Sequence, residues 1–172
     1  MRRTLRPGAV SSAVTVLCAG VFSSTVPAQT LMQANISAAM ARKIVDAIVA
    51  ECGGSGDLLT VTIAVVDRAG APVMELRADT ASPHNWELAF RKAYTARTYR
   101  RTTLDVRDRT AGDAPFAGQR LLSNVAALGG GVPIIKDGDG IGGIGVSGAE
   151  GGQDGDHACA MAGLAAIADD LE

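Results

Sequence analysis

Two tight turns between β-branched runs restrict this chain to folds with antiparallel strands. LLTVTIAVVD at 58–67 predicts a buried strand, and a turn closing at Gly70 leads into APVMELR at 71–77. A second pair of predicted strands, Val132 to Lys136 and Ile141 to Ser147, flanks the turn sequence DGDG. Since parallel strands need a crossover of about a dozen or more residues, both pairs are expected to be antiparallel.

Three longer segments predict helices around this sheet. Apolar residues recur at helical spacing in NISAAMARKIVDAIVAEC at 35–52, and the segment 86–101 contains no Gly or Pro. Ser82 is the expected cap of this second helix. The region 102–127 predicts two short helices at most, and DHACAMAGLAAIADDL at 156–171 closes the chain as a helix. The order of these elements indicates the α+β class.

The first 28 residues have the pattern of a signal peptide. A basic start, MRRTLR, precedes an apolar run at 13–22, and VPA ends at Ala28. The apolar run is too short for a permanent membrane span. We therefore expect cleavage after Ala28, a periplasmic or secreted location, and a single domain over 29–172.

The charge of the mature chain argues against nucleic acid as a partner. Three of the 16 basic residues lie in the leader, whereas none of the 18 acidic residues does, which leaves a net charge of −5. Nucleic-acid-binding domains are usually basic, because they must neutralise phosphates. No long apolar run follows the leader, so no membrane span is expected in the mature chain.

Two cysteines remain after the leader, Cys52 at the end of the first predicted helix and Cys159 in the last. In an exported chain such a pair predicts a disulfide, which requires the N- and C-terminal helices to pack together. The alternative is two unpaired, buried thiols.

A set of short motifs in a fixed order resembles the GlcG/HbpS family over nearly the whole mature chain. The motifs are DxxG at 67–70, RAD at 77–79, KAYTA at 92–96, GGVPI at 130–134, IGGIGVSG at 141–148 and AxxGL at 160–164. The resemblance implies a profilin-like antiparallel sheet of about five strands with flanking helices, assembled as a dimer or larger homo-oligomer. It also implies haem as a cofactor, since several members bind haem and some are described as haem-degrading.

The family's usual RMD motif is RAD here, so a Met that could face the site is replaced by Ala78. Axial ligands differ among members, and the resemblance therefore names no ligand in this chain. The candidates must come from the chemistry of the residues themselves.

The segment SPHNWELAFRKAYTART at 82–98 carries the only tryptophan and three of the six Phe, Trp and Tyr residues of an aromatic-poor chain. We expect His84 to be the axial metal ligand, with Trp86 and Tyr94 in the walls of the pocket. Lys92, and less directly Arg77, would neutralise ligand carboxylates. The alternatives left open are that His84 caps the helix, that Lys92 lies on a solvated face, and that Arg77 pairs with Asp79.

Three classes of function follow. The first is binding of haem, a related porphyrin or a small carboxylate. The second is a lyase, isomerase or haem-degrading enzyme in the same pocket, with His84, Lys92 and Asp79 as the acid–base set. The third is an oligomeric scaffold or sensor partner assembled through the glycine-rich strand at 141–147. His157 is interpreted as a first-turn helix residue, and Met74 and Met161 as core residues.

Overall fold

Four antiparallel strands form the sheet in the part of the chain that the structure describes. They are β1 (Thr62–Asp67), β2 (Pro72–Arg77), β3 (Gly131–Lys136) and β4 (Asp139–Ser147). Their order is β2-β1-β4-β3, so β1 and β4 pair in the centre while β2 and β3 form the edges. Both predicted hairpins and the antiparallel α+β class are confirmed, with four strands instead of the expected five.

This computed structural model describes residues 29–53 and 60–172. The predicted leader at 1–28 and the predicted start of the first strand at 58–59 lie outside the described residues. From Gln33 onward the chain forms one compact unit. No helix among the described residues combines the length and hydrophobicity needed to cross a membrane.

Four α-helices accompany the sheet within residues 29–53 and 60–172. They are α1 (Ala38–Cys52), α2 (Asn85–Tyr99), α3 (Thr103–Arg109) and α4 (Gly152–Ala165). The hydroxyl of Ser37 caps α1 by accepting a hydrogen bond from the Met40 N–H. The expected cap of α2 at Ser82 is wrong, because α2 begins one residue after His84, whose ring caps no backbone N–H.

The helices cover both faces of the sheet because β1 is apolar on both sides. Ile63 and Val65 belong to the core beneath α1 and α4, whereas Ala64 and Val66 pack with alanines of α2. Small side chains on the second face let α2 approach the strands closely. Two helical layers therefore enclose one sheet, and the segment with the candidate site residues lies on the face opposite to α1 and α4.

The disulfide between Cys52 and Cys159 is present, which confirms the predicted pairing. The Cα atoms are 5.9 Å apart, and the bond joins the end of α1 to α4 across 107 residues of sequence. The expected packing of the N- and C-terminal helices against each other is confirmed as well.

The glycines of β4 face α2. A Cβ atom at Gly145 would overlap the carbonyl oxygen of Ala89, and one at Gly143 would overlap that of Ala93. Strand β4 has a neighbouring strand on either side, and α2 covers the face on which these glycines lie. The glycines are therefore not available to contact a second copy of the chain, contrary to the assembly role expected for this strand. They serve close packing of a helix on the sheet.

Replacing Gly145 by Ala is expected to destabilise the protein by about 2–3 kcal/mol, since the new methyl group meets backbone atoms that cannot rotate away. Chemical denaturation monitored by circular dichroism measures the change. Gly118→Ala is the matched control, because no atom lies within 4 Å of its added Cβ. Equal stability of the two variants would contradict the packing role of Gly145.

Candidate functional site

The aromatic side chains of α2 and the imidazole of His84 do not share a hollow. Trp86 is 54% exposed, while the rings of Phe90 and Tyr94 lie 6.1 Å apart and Tyr94 covers Gly70 at the β1–β2 turn. Phe90 and Tyr94 lie four residues apart on one side of the helix, whereas Trp86 makes no ring contact with them. The expectation that Trp86 and Tyr94 wall a pocket together with His84 is therefore not met within one chain.

His84 lines a different hollow, on another stripe of the same helix. This open hollow of about 220 Å³ is formed by His84, Glu87, Leu88 and Arg91. The spacing i, i+4 and i+7 brings the imidazole, an apolar side chain and a guanidinium onto one face. The exposed position of His84 just before α2 leaves its ring accessible to a ligand.

Arg91 supplies the positive charge of this hollow. Its guanidinium forms an ion pair with Glu87 one turn earlier, and both side chains are substantially exposed. The Arg91 Nε, however, is buried and has no hydrogen-bond partner among the described residues. Because the guanidinium is partly exposed and its ion pair with Glu87 engages one terminal nitrogen, the other terminal N–H groups can bind a carboxylate from solvent.

Lys92 lies on a different face from His84, contrary to the expectation. Eight residues advance an α-helix by about 80° beyond two full turns, which turns Lys92 away from the His84 stripe and into the protein. The side chain is only 1% exposed. Lys92 therefore cannot bind a ligand carboxylate beside His84, and the alternative that it lies on a solvated face is wrong as well.

Inside the protein Lys92 joins three elements. Its Nζ donates to a carboxylate oxygen of Asp156 at 2.6 Å and to the carbonyl oxygen of Val146 at 2.9 Å. The other carboxylate oxygen of Asp156 accepts from the Ala149 N–H at 2.8 Å. Burial lowers the pKa of the Lys92 ammonium, while the Asp156 carboxylate acts in the opposite direction. This group links α2, β4 and α4.

Arg77 and Asp79 also lie apart from the His84 hollow. Both are exposed near the end of β2, and neither forms an ion pair with the other among the described residues. The Arg77–Asp79 pairing is therefore wrong. Because Lys92 is buried with Asp156, the acid–base set of His84, Lys92 and Asp79 is not assembled in one chain.

A second, larger hollow among the described residues is an apolar groove of about 460 Å³ between β3 and the C-terminal helices. Its lining includes Pro133, Ile135, Met161 and Leu164, and contains no histidine. Met161 is 43% exposed there, so its interpretation as a core residue is wrong, whereas Met74 packs against the core as expected. The groove has room for an apolar ligand but offers only a thioether to a metal.

Comparison of the sequence with known protein families identifies the family of this chain. A sequence model of the family described as "Haem degrading protein HbpS-like" matches residues 36–165. This chain belongs to the HbpS-like family. The resemblance seen in the sequence motifs is thereby confirmed.

Solved structures share the HbpS-like fold. A double mutant of HbpS from Streptomyces reticuli is 30% identical, with a TM-score of 0.74 over 84% of this chain and 97% of that one. The PduOC:heme complex is 27% identical, with a TM-score of 0.67 over 78% of this chain and 96% of that one.

A sequence relative is also known. It is a 15.0 kDa protein of Citrobacter freundii from the dhaT-dhaS intergenic region, which is 32% identical over 117 residues that cover 67% of this chain and 81% of that protein.

Proposed function

We propose that this HbpS-like protein binds haem on the His84 face of α2. The proposal rests on one observation, namely that a possible metal ligand, an apolar side chain and a cation line the same hollow. An accessible imidazole, an apolar side chain and a partly exposed guanidinium lie together. The PduOC:heme complex, a structure of the same fold, supports haem as the ligand class.

Each residue of the hollow has a separate role in this proposal. The His84 imidazole would be an axial ligand of the iron, Leu88 would contact the porphyrin edge, and Arg91 would bind a propionate. Bound haem would supply an iron centre for redox chemistry or ligand exchange. Glu87 opposes binding, since its carboxylate already occupies part of the Arg91 guanidinium.

The hollow also supports the proposal of a homo-oligomer. Ligand sites usually measure about 300–1,000 Å³ and enclose most of the ligand. The His84 hollow, at about 220 Å³, is smaller and open. A porphyrin bound there would keep one face uncovered, and a second copy of the chain placed against that face would complete the enclosure.

We further propose that the protein is exported. The leader pattern that ends at Ala28 and the disulfide between Cys52 and Cys159 support this location, because disulfides persist mainly in oxidising compartments. N-terminal sequencing of protein from a periplasmic or culture-supernatant fraction tests it. A mature N-terminus at Gln29 is the expected result, and an intact Met1 in the cytoplasmic fraction would contradict it.

Titration of the purified apoprotein with haemin tests the His84 assignment. His84→Ala is expected to shift the Soret band and to weaken binding at least about tenfold, because it removes the proposed iron ligand. Arg91→Gln should weaken binding about fivefold without moving the band, since it removes a charge–charge hydrogen bond only. Glu87→Gln should strengthen binding, because it frees the guanidinium of Arg91.

Met161→Ala is the matched control for these variants. Met161 lines the apolar groove between β3 and α4, so its truncation should leave the spectrum and affinity unchanged. A spectral change with Met161→Ala, together with a normal spectrum for His84→Ala, would move the site to that groove. Loss of the Soret band after addition of a reductant in air would favour the haem-degrading alternative over binding alone.

A further inference from the structure

A basic segment interrupts the otherwise acidic chain. Residues 97–120 contain six arginines and three aspartates, whereas the remaining described residues contain seven basic and fourteen acidic side chains. The segment comprises the end of α2, α3 and the following 3₁₀ turn at Ala117–Leu121. The net positive charge of this segment therefore favours anions, whereas the remaining described residues together carry a net negative charge.

Within the segment lies a small hollow of about 90 Å³. It is lined by Tyr99, Arg101, Val106, Arg109, Thr110, Phe116 and Gln119. A water molecule occupies about 30 Å³ in the liquid, so the hollow has room for a ligand of only a few heavy atoms. It is distinct from the His84 hollow, with which it shares no residue.

We propose that this hollow binds a small monocarboxylate with a short apolar tail. Arg109 lies over the ring of Phe116, 5.3 Å from its centroid, and forms no ion pair with any carboxylate among the described residues. Stacking on the ring orients the guanidinium while its N–H groups remain able to bind a carboxylate. Arg101, which pairs with Asp105 at 2.9 Å through one nitrogen, adds a second positive charge.

The remaining lining determines the class of the anion. Val106 and the ring of Phe116 form an apolar side that suits a hydrocarbon tail, which inorganic phosphate lacks. The Thr110 hydroxyl is already engaged, since it donates to the Val106 carbonyl at 2.7 Å and accepts from Arg120 Nε at 2.8 Å. Burial, and then the neighbouring Tyr94, raises the pKa of the Tyr99 phenol, which therefore remains a hydrogen-bond donor.

Titration of the ¹⁵N-labelled full chain with sodium butyrate at constant ionic strength tests the proposal by NMR. Saturable shifts of the amides in residues 103–120 are expected, and Arg109→Gln should weaken the affinity at least fivefold. Arg101→Gln should weaken it as well, whereas Arg42→Gln, in an exposed pair on α1, should not. His84→Ala should bind butyrate normally, so this result does not depend on the haem proposal.

Three outcomes would overturn the assignment. They are the absence of saturable shifts, equal affinity of Arg109→Gln and the unmodified chain, and binding of inorganic phosphate as tight as that of butyrate. The circular dichroism spectrum of Arg109→Gln should match that of the unmodified chain, since the side chain is exposed. If Arg109→Gln does not fold, the Arg101→Gln titration decides between the same outcomes.

Discussion

Removing the bond between Cys52 and Cys159 is expected to lower the free energy of unfolding by about 4–5 kcal/mol. The bond closes a loop of 107 residues, most of the folded unit, and so restricts the unfolded chain far more than a short loop would. Urea denaturation of the double variant Cys52→Ser, Cys159→Ser measures the change. Cys18→Ser belongs in every sample, because that leader cysteine could exchange with the pair.

The effect must come from the unfolded state and not from lost packing. Cys159 is a buried residue of α4, so the Cys159→Ser change in the double variant adds the cost of a buried hydroxyl. Reduction of the unmodified chain with dithiothreitol avoids that cost and should give a similar loss of stability. A loss below about 1 kcal/mol on reduction would show that the bond restricts the unfolded chain far less than the loop length predicts.

The same disulfide shows what the sequence could predict about the fold. Apolar periodicity located α1, the absence of Gly and Pro located α2, and β-branched runs with turn residues located both hairpins. A disulfide between the two cysteines then required the first and last helices to be neighbours. The centre of the sheet could not be obtained this way. The pairing of β1 with β4 joins segments far apart in the chain, and local patterns carry no information about such contacts.

The candidate site was predicted only in part, for a geometric reason. Spacing along α2 places Leu88 and Arg91 on the stripe of His84, whereas Lys92, eight residues away, is turned into the protein. The ring-rich composition of 82–98 suggested one pocket, whereas Tyr94 packs at Gly70 and Trp86 is exposed. Composition therefore indicated the helix that carries the candidate site, and helical phase was needed to select its face.

The buried ion pair between Lys92 and Asp156 is expected to contribute strongly to the stability of the fold. Replacing Lys92 by Met should destabilise the protein by about 3–5 kcal/mol, because Asp156 would be left charged and buried without its partner. Restoring neutrality with a second change, Asp156→Leu, should recover much of that loss, since a buried pair can often be replaced by apolar side chains. Denaturation curves of the single and double variants form the test.

Lys43→Met is the matched control, because Lys43 pairs with Asp170 on the surface, where such a pair contributes about 0–1 kcal/mol.

The pH dependence of stability gives a second, independent readout. Because the native pKa of Lys92 is lowered, the folded state binds fewer protons than the unfolded state between that pKa and the ordinary lysine value, and stability rises with pH across this window. Lys92→Met should lack this rise. An unchanged pH profile, together with a loss as small as that of Lys43→Met, would show that the pair neither holds a charge nor links α2 to α4.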